Sequence, residues 1–175
     1  MAPPASVIQQ TEHWEDFMKL LVFSDSHSAS GKITDAIASH SGMCDAVIFL
    51  GDGLRDIEYV KRKYPDLCFF CVSGNCDFTS EVPSESVLDF DGIKVLVTHG
   101  HKYFVKHGYD TILEYAAAKG ADAVFFGHTH VPLDTCEYVG EKRIQLFNPG
   151  SIGKGGTYGV VHTSGGVLVT SIAKI

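Results

Sequence analysis

The sequence has no apolar run long enough to cross a membrane, and it is short of positive charge. Hydrophobic residues make up 45% of its 175 residues but fall in short runs, whereas a membrane-spanning helix needs roughly 20 in succession. The 14 Lys and Arg residues against 21 Asp and Glu give a net charge of −7, which disfavours a broad basic surface for nucleic acid. We therefore expect no membrane association and no extended nucleic-acid surface.

Cysteine is too sparse and too irregularly spaced for a disulfide framework. The five cysteines are an odd number, and the N-terminus lacks the basic-then-apolar order of a secretion signal. Both features indicate reduced thiols and a cytoplasmic protein. Cys68 and Cys71 lie in the apolar segment Leu67–Ser73, where positions i and i+3 of a strand point to opposite faces. We expect buried apolar cysteines there rather than a redox or zinc pair.

The chain length is that of one domain with a sizeable core. Residues 1–17 differ from the rest, since Met1–Ser6 is rich in Ala and Pro and Met18 runs straight into an apolar segment. We expect residues 1–17 to be an N-terminal extension or a cloning remnant. Residues 18–175 are expected to form a single domain.

Hydrophobic periodicity predicts an α/β fold. Apolar strands at Leu20–Phe23, Ala46–Leu50 and Leu67–Ser73 alternate with helices at Ile33–Ser39 and Leu54–Lys63, which is typical of parallel α/β units. The second half adds a helix at Thr111–Lys119, a strand at Ala123–Phe126 and three hairpins. Their turns are Asp91-Gly92, Gly140-Glu141 and Ser164-Gly165-Gly166. We expect a mixed sheet, or two packed sheets with helices outside.

Polar side chains follow five of the predicted strands where each strand ends. They are Asp25 and His27, then Asp52, then Asn75, then His99 and His101, and finally His128 and His130. Ligand sites of open α/β sheets lie beyond the carboxyl ends of the strands. If these strands share one sheet edge, the polar groups meet there.

Each of these motifs also has an ordinary explanation as a surface histidine, a helix cap or a turn. Their recurrence in order at strand ends favours a metal site instead. Without His101, the set holds two carboxylates, four histidines and one amide, which are too many ligands for one tetrahedral zinc ion and suit two divalent ions. Asp52, between Gly51 and Gly53, is placed to bridge them. A mixed oxygen and nitrogen shell favours manganese, iron or zinc over calcium.

The motifs resemble the calcineurin-like metallophosphoesterase superfamily. The resemblance rests on Asp25-Ser26-His27, Gly51-Asp52, Gly74-Asn75, His99-Gly100 and Gly127-His128-Thr129-His130, in that order. Gly74-Asn75-Cys76-Asp77 and Asn148-Pro149-Gly150-Ser151 are similar to its small bacterial and archaeal phosphodiesterase branch. The resemblance implies a four-layer sandwich of two mixed β-sheets flanked by helices.

The resemblance also implies how the ligands divide between two divalent ions, with manganese favoured and iron, zinc or nickel as alternatives. The first ion would be held by Asp25, His27, Asp52 and His130. The second would be held by Asp52, Asn75, His99 and His128. The implied reaction is hydrolysis of a small phosphoester, a diester in preference to a monoester, by a bridging hydroxide.

The proton donor for the leaving group stays open. Many relatives have a histidine after the Gly-Asn pair, but here Cys76 occupies that position, and a thiol is a poor donor to an alkoxide. Either His101 or a metal-bound water supplies the proton, or the enzyme prefers acidic leaving groups. His101 would otherwise only contact the ligand His99. We therefore take Asp52, Asn75 and His101 as catalytic candidates. Asp77 would orient the histidine that Cys76 replaces here, or else it stabilises a turn or supports a ligand.

Two less specific expectations complete the prediction. Asn148–Ser151 is expected at the rim of the site, with Lys154 near a phosphate. The alternative function is a non-catalytic protein-binding scaffold that resembles the retromer subunit of the same fold, although this chain keeps every expected ligand. A homo-oligomer is among the assemblies that the sequence allows.

Overall fold

The computed structural model describes residues 18–40, 43–78 and 80–175, so the predicted extension at residues 1–17 lies outside the described residues. The strands are β1 (Met18–Phe23), β2 (Ala46–Phe49), β3 (Cys68–Cys71), β4 (Glu85–Phe90), β5 (Ile93–Thr98), β6 (Ala123–Phe125), β7 (Leu133–Val139), β8 (Lys142–Asn148), β9 (Thr157–Ser164) and β10 (Val167–Lys174). The α-helices are α1 (Ser30–Ser39), α2 (Leu54–Lys63) and α3 (Asp110–Ala118). The predicted elements are thus confirmed, with shifts of a few residues at their ends.

The ten strands form two mixed sheets of five strands each. The first sheet has the order β10-β9-β1-β2-β3, in which β1, β2 and β3 are parallel and β9 and β10 are antiparallel additions. The second has the order β4-β5-β6-β8-β7, in which β5, β6 and β8 are parallel. Parallel strands need long crossovers, which α1, α2, α3 and, between β6 and β8, strand β7 supply, whereas the hairpins supply the antiparallel edges.

The central strands are apolar throughout because both of their faces are buried. In β1, Leu20 and Val22 point to the core between the sheets, whereas Leu21 and Phe23 point to the core under α1 and α2. Helix α3 covers the outer face of the second sheet, where Val124 of β6 is buried. The order of layers is helices, sheet, sheet and helix, which confirms the predicted four-layer sandwich.

The parallel strands end in two sheets, not at one sheet edge as the simplest form of the prediction supposed. The loops after β1, β2 and β3 come from the first sheet, and those after β5 and β6 come from the second. Backbone hydrogen bonds join them, from Asp25 N–H to Gly51 O at 3.0 Å within the first sheet and from Gly127 N–H to His99 O at 3.2 Å within the second. Two further contacts cross between the sheets, from His99 Nδ1 to Leu50 O at 2.7 Å and from His128 N–H to Asp25 Oδ2 at 3.0 Å, so the two sets of carboxyl ends meet at one end of the sandwich.

The strand predicted at Leu67–Ser73 is shorter and less buried than expected. It forms β3, the outermost strand of the first sheet, and Cys68 is exposed while Cys71 is half-buried. The expectation of buried cysteines was therefore wrong for Cys68, because an apolar sequence alone does not distinguish a central strand from an edge strand. All five cysteines carry free thiols, as predicted.

None of the helices in the described part of the chain is long and apolar enough to cross a membrane.

Replacement of Phe125 by Ala tests the core between the sheets. Phe125 is fully buried and its ring lies 5.2 Å from that of Phe147, centroid to centroid. We expect Phe125→Ala to lower the free energy of unfolding by about 3–5 kcal/mol in urea denaturation, because the cavity cannot fully collapse. Tyr138→Ala, at a residue that is 66% exposed, should change it by about 0.5 kcal/mol or less. Equal losses in both variants would contradict this account of the core.

Candidate metal centre

Backbone strain is concentrated at the predicted metal ligands. Eight non-glycine residues have positive φ in the described part of the chain. Five of them are predicted ligands, namely Asp25, His27, Asp52, His128 and His130. Such conformations cost on the order of 1–3 kcal/mol each and cluster at functional sites. The loops after β1, β2 and β6 therefore hold these side chains in positions that ordinary turns would not give.

Asp25 is fully buried at the end of β1 and is the centre of the first group of ligands. Its Oδ2 accepts hydrogen bonds from the Ser24 hydroxyl at 2.6 Å and from the His128 backbone N–H at 3.0 Å. Its Oδ1 lies 3.0 Å from His130 Nε2 and 3.8 Å from His27 Nε2. One oxygen is thus held by the protein, while the other faces imidazole nitrogens.

Asp52 and His99 form the buried part of the second group. His99 is fully buried, and its Nδ1 lies 2.7 Å from the backbone carbonyl of Leu50. This contact requires the proton on Nδ1 and leaves Nε2 free to act as a ligand. His99 Nε2 lies 3.3 Å from Asp52 Oδ2, and Asp52 Oδ1 accepts a hydrogen bond from the Cys76 backbone N–H at 2.8 Å.

The remaining predicted ligands surround these buried groups. The His27 and His130 rings lie 5.3 Å apart, and the His128 ring lies 5.0 Å from that of His99, centroid to centroid. Asn75 is exposed, and its amide nitrogen lies 3.4 Å from the sulfur of Cys76. The His27 and His130 nitrogens approach Asp25, whereas the His128 and His101 rings lie beside His99.

The donor set fits divalent ions. Ligand atoms lie within 4.8 Å of one another in three groups: Asp25, His27 and His130; Asp25, Asp52 and His99; and His27, Asp52 and Cys76. Asp25 Oδ1 and His99 Nε2 are buried and form no hydrogen bond. Buried polar atoms are almost always paired, so these two atoms indicate a ligand that the protein itself does not provide. Two buried carboxylates close together also call for a cation.

The electrostatics of the protein side chains point the same way. Burial would raise the pKa of Asp52, but the adjacent His99 imidazole and the Cys76 N–H lower it well below its usual range. Burial would lower the pKa of His99, but Asp52 and Asp25 raise it. Burial and His99 lower the pKa of His128 to about 4. Asp52 is therefore charged and His128 neutral near pH 7, as metal ligands must be.

Comparison with known proteins identifies the family. Residues 18–166 match the sequence profile of the calcineurin-like phosphoesterase superfamily domain. This chain belongs to the calcineurin-like phosphoesterase superfamily. It is 31% identical over 139 residues to YsnB, a probable metallophosphoesterase of Bacillus subtilis, covering 77% of this chain and 75% of the relative.

Solved structures of similar fold include one from Streptococcus pneumoniae TIGR4, described as a conserved uncharacterised protein and predicted phosphoesterase. It is 25% identical with a TM-score of 0.73, covering 91% of this chain and 90% of the other. Two structures share the fold at lower identity. An archaeal phosphodiesterase has 23% identity and a TM-score of 0.66 over 89% of this chain and 100% of its own. Vacuolar Protein Sorting 29 of Cryptosporidium parvum has 15% sequence identity and a TM-score of 0.67, over 91% of this chain and 98% of its own.

Asp77 holds together the loops after β2 and β3. Its contacts match the predicted role in stabilising a turn. Its carboxylate accepts hydrogen bonds from the backbone N–H groups of Asp52 at 2.8 Å, Gly53 at 3.1 Å, Leu54 at 3.0 Å and Gly74 at 2.9 Å. The same contacts cap the N-terminus of α2, whose own N-cap residue provides no side-chain bond. Gly74 is required here, because a Cβ would overlap the Asp52 carboxylate.

Asp56 holds the loop after β1, a function that the sequence analysis missed. Its Oδ2 accepts hydrogen bonds from the Ser26 hydroxyl at 2.5 Å and from the Ser28 backbone N–H at 2.9 Å. The residue lies on α2, 28 to 30 positions away from its partners. No local pattern in the sequence indicates such a distant contact.

The Asn148–Ser151 segment lies behind the site and not at its rim. Asn148 ends β8, is fully buried, and donates from its amide to Gly127 O and Thr129 Oγ1, each at 3.0 Å. The Ser151 hydroxyl donates to Asp25 O at 2.8 Å. The expectation of a rim position was wrong, because Asn148 hydrogen-bonds to the loop after β6 and Ser151 hydrogen-bonds to the loop after β1. β8 is a sixth parallel strand with a polar side chain at its end.

His101 and Cys76 are the two residues named for the open question of the proton donor. The His101 ring lies 5.5 Å from that of His99, and its buried Nδ1 has no hydrogen-bond partner. Burial, His99 and Lys102 lower the pKa of His101. Desolvation and the hydrogen bond with Asp52 raise the pKa of Cys76 to about 11. In the metal-free protein at pH 7 the imidazole is therefore largely neutral and the thiol is protonated.

Replacement of Asp77 by Asn tests the clamp. An amide has one acceptor oxygen, and its NH₂ group would face backbone N–H donors, so we expect the free energy of unfolding to fall by at least about 2 kcal/mol in the metal-free protein. Urea denaturation measures this. Asp66→Asn, at an exposed residue before β3, is the matched control and should stay within about 0.5 kcal/mol of the native value. An Asp77→Asn protein as stable as the control would contradict the clamp.

Metal binding should stabilise the folded protein, because the buried carboxylates and imidazoles adopt this arrangement only in the folded state. At a free Mn²⁺ concentration about 100 times the dissociation constant, we expect a gain of about 2.7 kcal/mol in the free energy of unfolding. Asp25→Asn should lose most of that gain, whereas Asp66→Asn should keep it. The measurement is urea denaturation of metal-stripped protein with and without added Mn²⁺. An equal gain in both variants would show that Asp25 does not bind the ion.

Proposed function

We propose that this chain is a metal-dependent phosphodiesterase that hydrolyses a small phosphodiester at a centre of two divalent ions. The observation that carries the proposal is that two buried atoms, Asp25 Oδ1 and His99 Nε2, form no hydrogen bond. Both residues belong to groups of potential metal ligands. The family membership supports metal-dependent phosphoester hydrolysis, and the diester preference and the number of ions are our own step.

The roles of the protein side chains follow from their contacts. Two bound ions would neutralise the phosphoryl oxygens and lower the pKa of a water nucleophile. Asp52 lies within ligand distance of His27 in one group and of Asp25 and His99 in another, so it is suited to hold both ions. Asn75, exposed at the mouth of the centre, is suited to contact the phosphoryl group.

An open cleft beside the centre supports a diester substrate. It has a volume of about 570 Å³, and His27, Asp52 and Cys76 are among the residues that line it. A monoester presents only its leaving group to the protein beyond the phosphoryl oxygens, whereas a diester carries two substituents that need room. The cleft offers that room directly next to the predicted ligands.

The remaining details of the proposal concern the metal, the location and the ligand. Manganese is favoured because the set combines carboxylate oxygens with imidazole nitrogens, with iron, zinc and nickel as alternatives. Five free thiols are consistent with a reducing, cytoplasmic compartment. A small phosphoester is the proposed ligand, and the net charge of −7 disfavours a long nucleic acid.

A protein-binding scaffold is the second candidate function. The observation that favours it is the shared fold with Vacuolar Protein Sorting 29. That similarity extends to the fold alone, and this chain retains all seven predicted ligands with strained backbones at five of them. Strain of that kind at ligand positions is expected of a working centre more than of a scaffold.

Hydrolysis of bis(p-nitrophenyl) phosphate, with p-nitrophenyl phosphate as the matching monoester, tests the proposal. Both esters release a weakly basic leaving group, so neither requires a proton donor from His101 or Cys76. Metal-stripped protein should be inactive, added Mn²⁺ should restore activity mainly on the diester, and Asp52→Asn should lower kcat by at least about 100-fold.

Asp66→Asn is the control for this assay and should retain the native rate. Preference for the monoester would refute the diester assignment but keep the metal-dependent reaction. Absence of activity on both esters, in protein shown to bind Mn²⁺, would refute the enzyme and favour the scaffold.

A further inference from the structure

The cleft beside the metal centre has a chemical character of its own. It is enclosed on one side by the start of α2 and on the other by the loop between β3 and β4. Its lining residues beyond the predicted ligands include Leu54, Arg55, Asp56, Asp77, Phe78 and Val82. Apolar surface and one guanidinium thus adjoin a site that would bind a phosphoryl group.

Phe78 is the unusual residue of this lining. Its side chain is 88% exposed, the largest fraction among the exposed large apolar residues in the described part of the chain. A side chain of this size is ordinarily buried, and its exposure costs roughly 1.5–3 kcal/mol relative to burial. An aromatic ring left open beside an active site is suited to bind a ligand that covers it.

Phe78 directly follows a residue that is firmly held. The Asp77 carboxylate is turned inward and held by four backbone N–H groups. The loop that carries both residues is closed by a hydrogen bond from Ser73 N–H to Pro83 O at 2.9 Å. With Asp77 anchored to the loop before α2, the next residue lines the cleft beside the predicted ligands.

The cleft contains one cation that a phosphate-bearing ligand can use. The acidic side chains of the lining are held by protein groups: Asp77 and Asp56 accept hydrogen bonds as described, Asp52 accepts one from the Cys76 N–H, and Glu58 forms an ion pair with Lys61 at 2.9 Å. Arg55 is the only Lys or Arg among the described residues that line the cleft. A neutral aromatic compound would not use this cation, whereas a nucleotide would offer it polar groups.

We propose that the cleft binds the planar base of a nucleotide-type phosphodiester, with Phe78 as its stacking surface and Leu54 and Val82 as its apolar surroundings. Stacking on an aromatic side chain accepts any base, because every base has a π-face. The proposal rests on the proposed function, since it places the phosphate of the same ligand at the metal centre. It narrows the substrate class from small phosphodiesters to nucleoside-bearing ones.

Calorimetric titration of the full, Mn²⁺-loaded protein with two ligands tests this inference. Adenosine 5′-monophosphate and ribose 5-phosphate differ only in the base, and phosphate release is followed in parallel so that only intact ligand is counted. We expect the nucleotide to bind at least about five-fold more tightly than the sugar phosphate. In Phe78→Ala this difference should disappear, while the affinity for ribose 5-phosphate stays unchanged.

Tyr138→Ala is the matched control, because Tyr138 is also an exposed aromatic but lies at the end of β7, outside the cleft lining. It should keep the native difference between the two ligands. Equal affinity of the native protein for both ligands, failure of both to bind, or loss of affinity for both in Phe78→Ala would overturn the inference.

The result is separable from that of the hydrolysis assay. A base-dependent affinity without hydrolysis would remove the reaction and leave the base-binding cleft. Hydrolysis without a base-dependent affinity would leave the reaction and remove the cleft as its specificity site.

Discussion

Two carboxylates buried at one end of the sandwich, Asp25 and Asp52, impose the constraint on which the rest of the structure depends. Asp25 is fully buried and Asp52 is 3% exposed, and such charges are unfavourable away from water unless cations and hydrogen bonds surround them. The protein provides hydrogen bonds to only part of each group and leaves Asp25 Oδ1 without one. The apolar strands bring the loops together, and the unsatisfied oxygen then selects what can bind among them.

The sequence predicted the chemistry of this centre better than its surroundings. Ligand residues are detectable because each stands directly after an apolar strand, and the fold places strand ends together whatever the connecting loops do. Asp56 and Asn148 could not be recognised as supports in this way. Their partners lie 28 to 30 and 19 to 21 positions away, and hydrogen bonds across such distances leave no periodic pattern. The predicted burial of Cys68 was wrong for a related reason, because the topology and not the local sequence places β3 at the edge of its sheet.

The supporting contacts explain how strained loops remain in place. Five ligands have positive φ, and such conformations persist only where neighbouring groups determine them. Asp77 fixes the loop after β2, Asp56 fixes the loop after β1, and Asn148 fixes the loop after β6. Each support is a polar side chain on a different element, so the geometry of the centre depends on the assembled sandwich and cannot form in an isolated segment.

The neighbouring residues Asp77 and Phe78 connect the predicted metal ligands with the cleft. Asp77 holds a ligand-bearing loop through buried hydrogen bonds, whereas Phe78 presents an exposed ring to the cleft. In the proposed complex, a ligand stacked on Phe78 would lie beside the loop that the Asp77 carboxylate anchors. Under the proposal, the β3–β4 loop serves both the metal centre and the cleft, because it carries the predicted ligand Asn75 as well as Asp77 and Phe78.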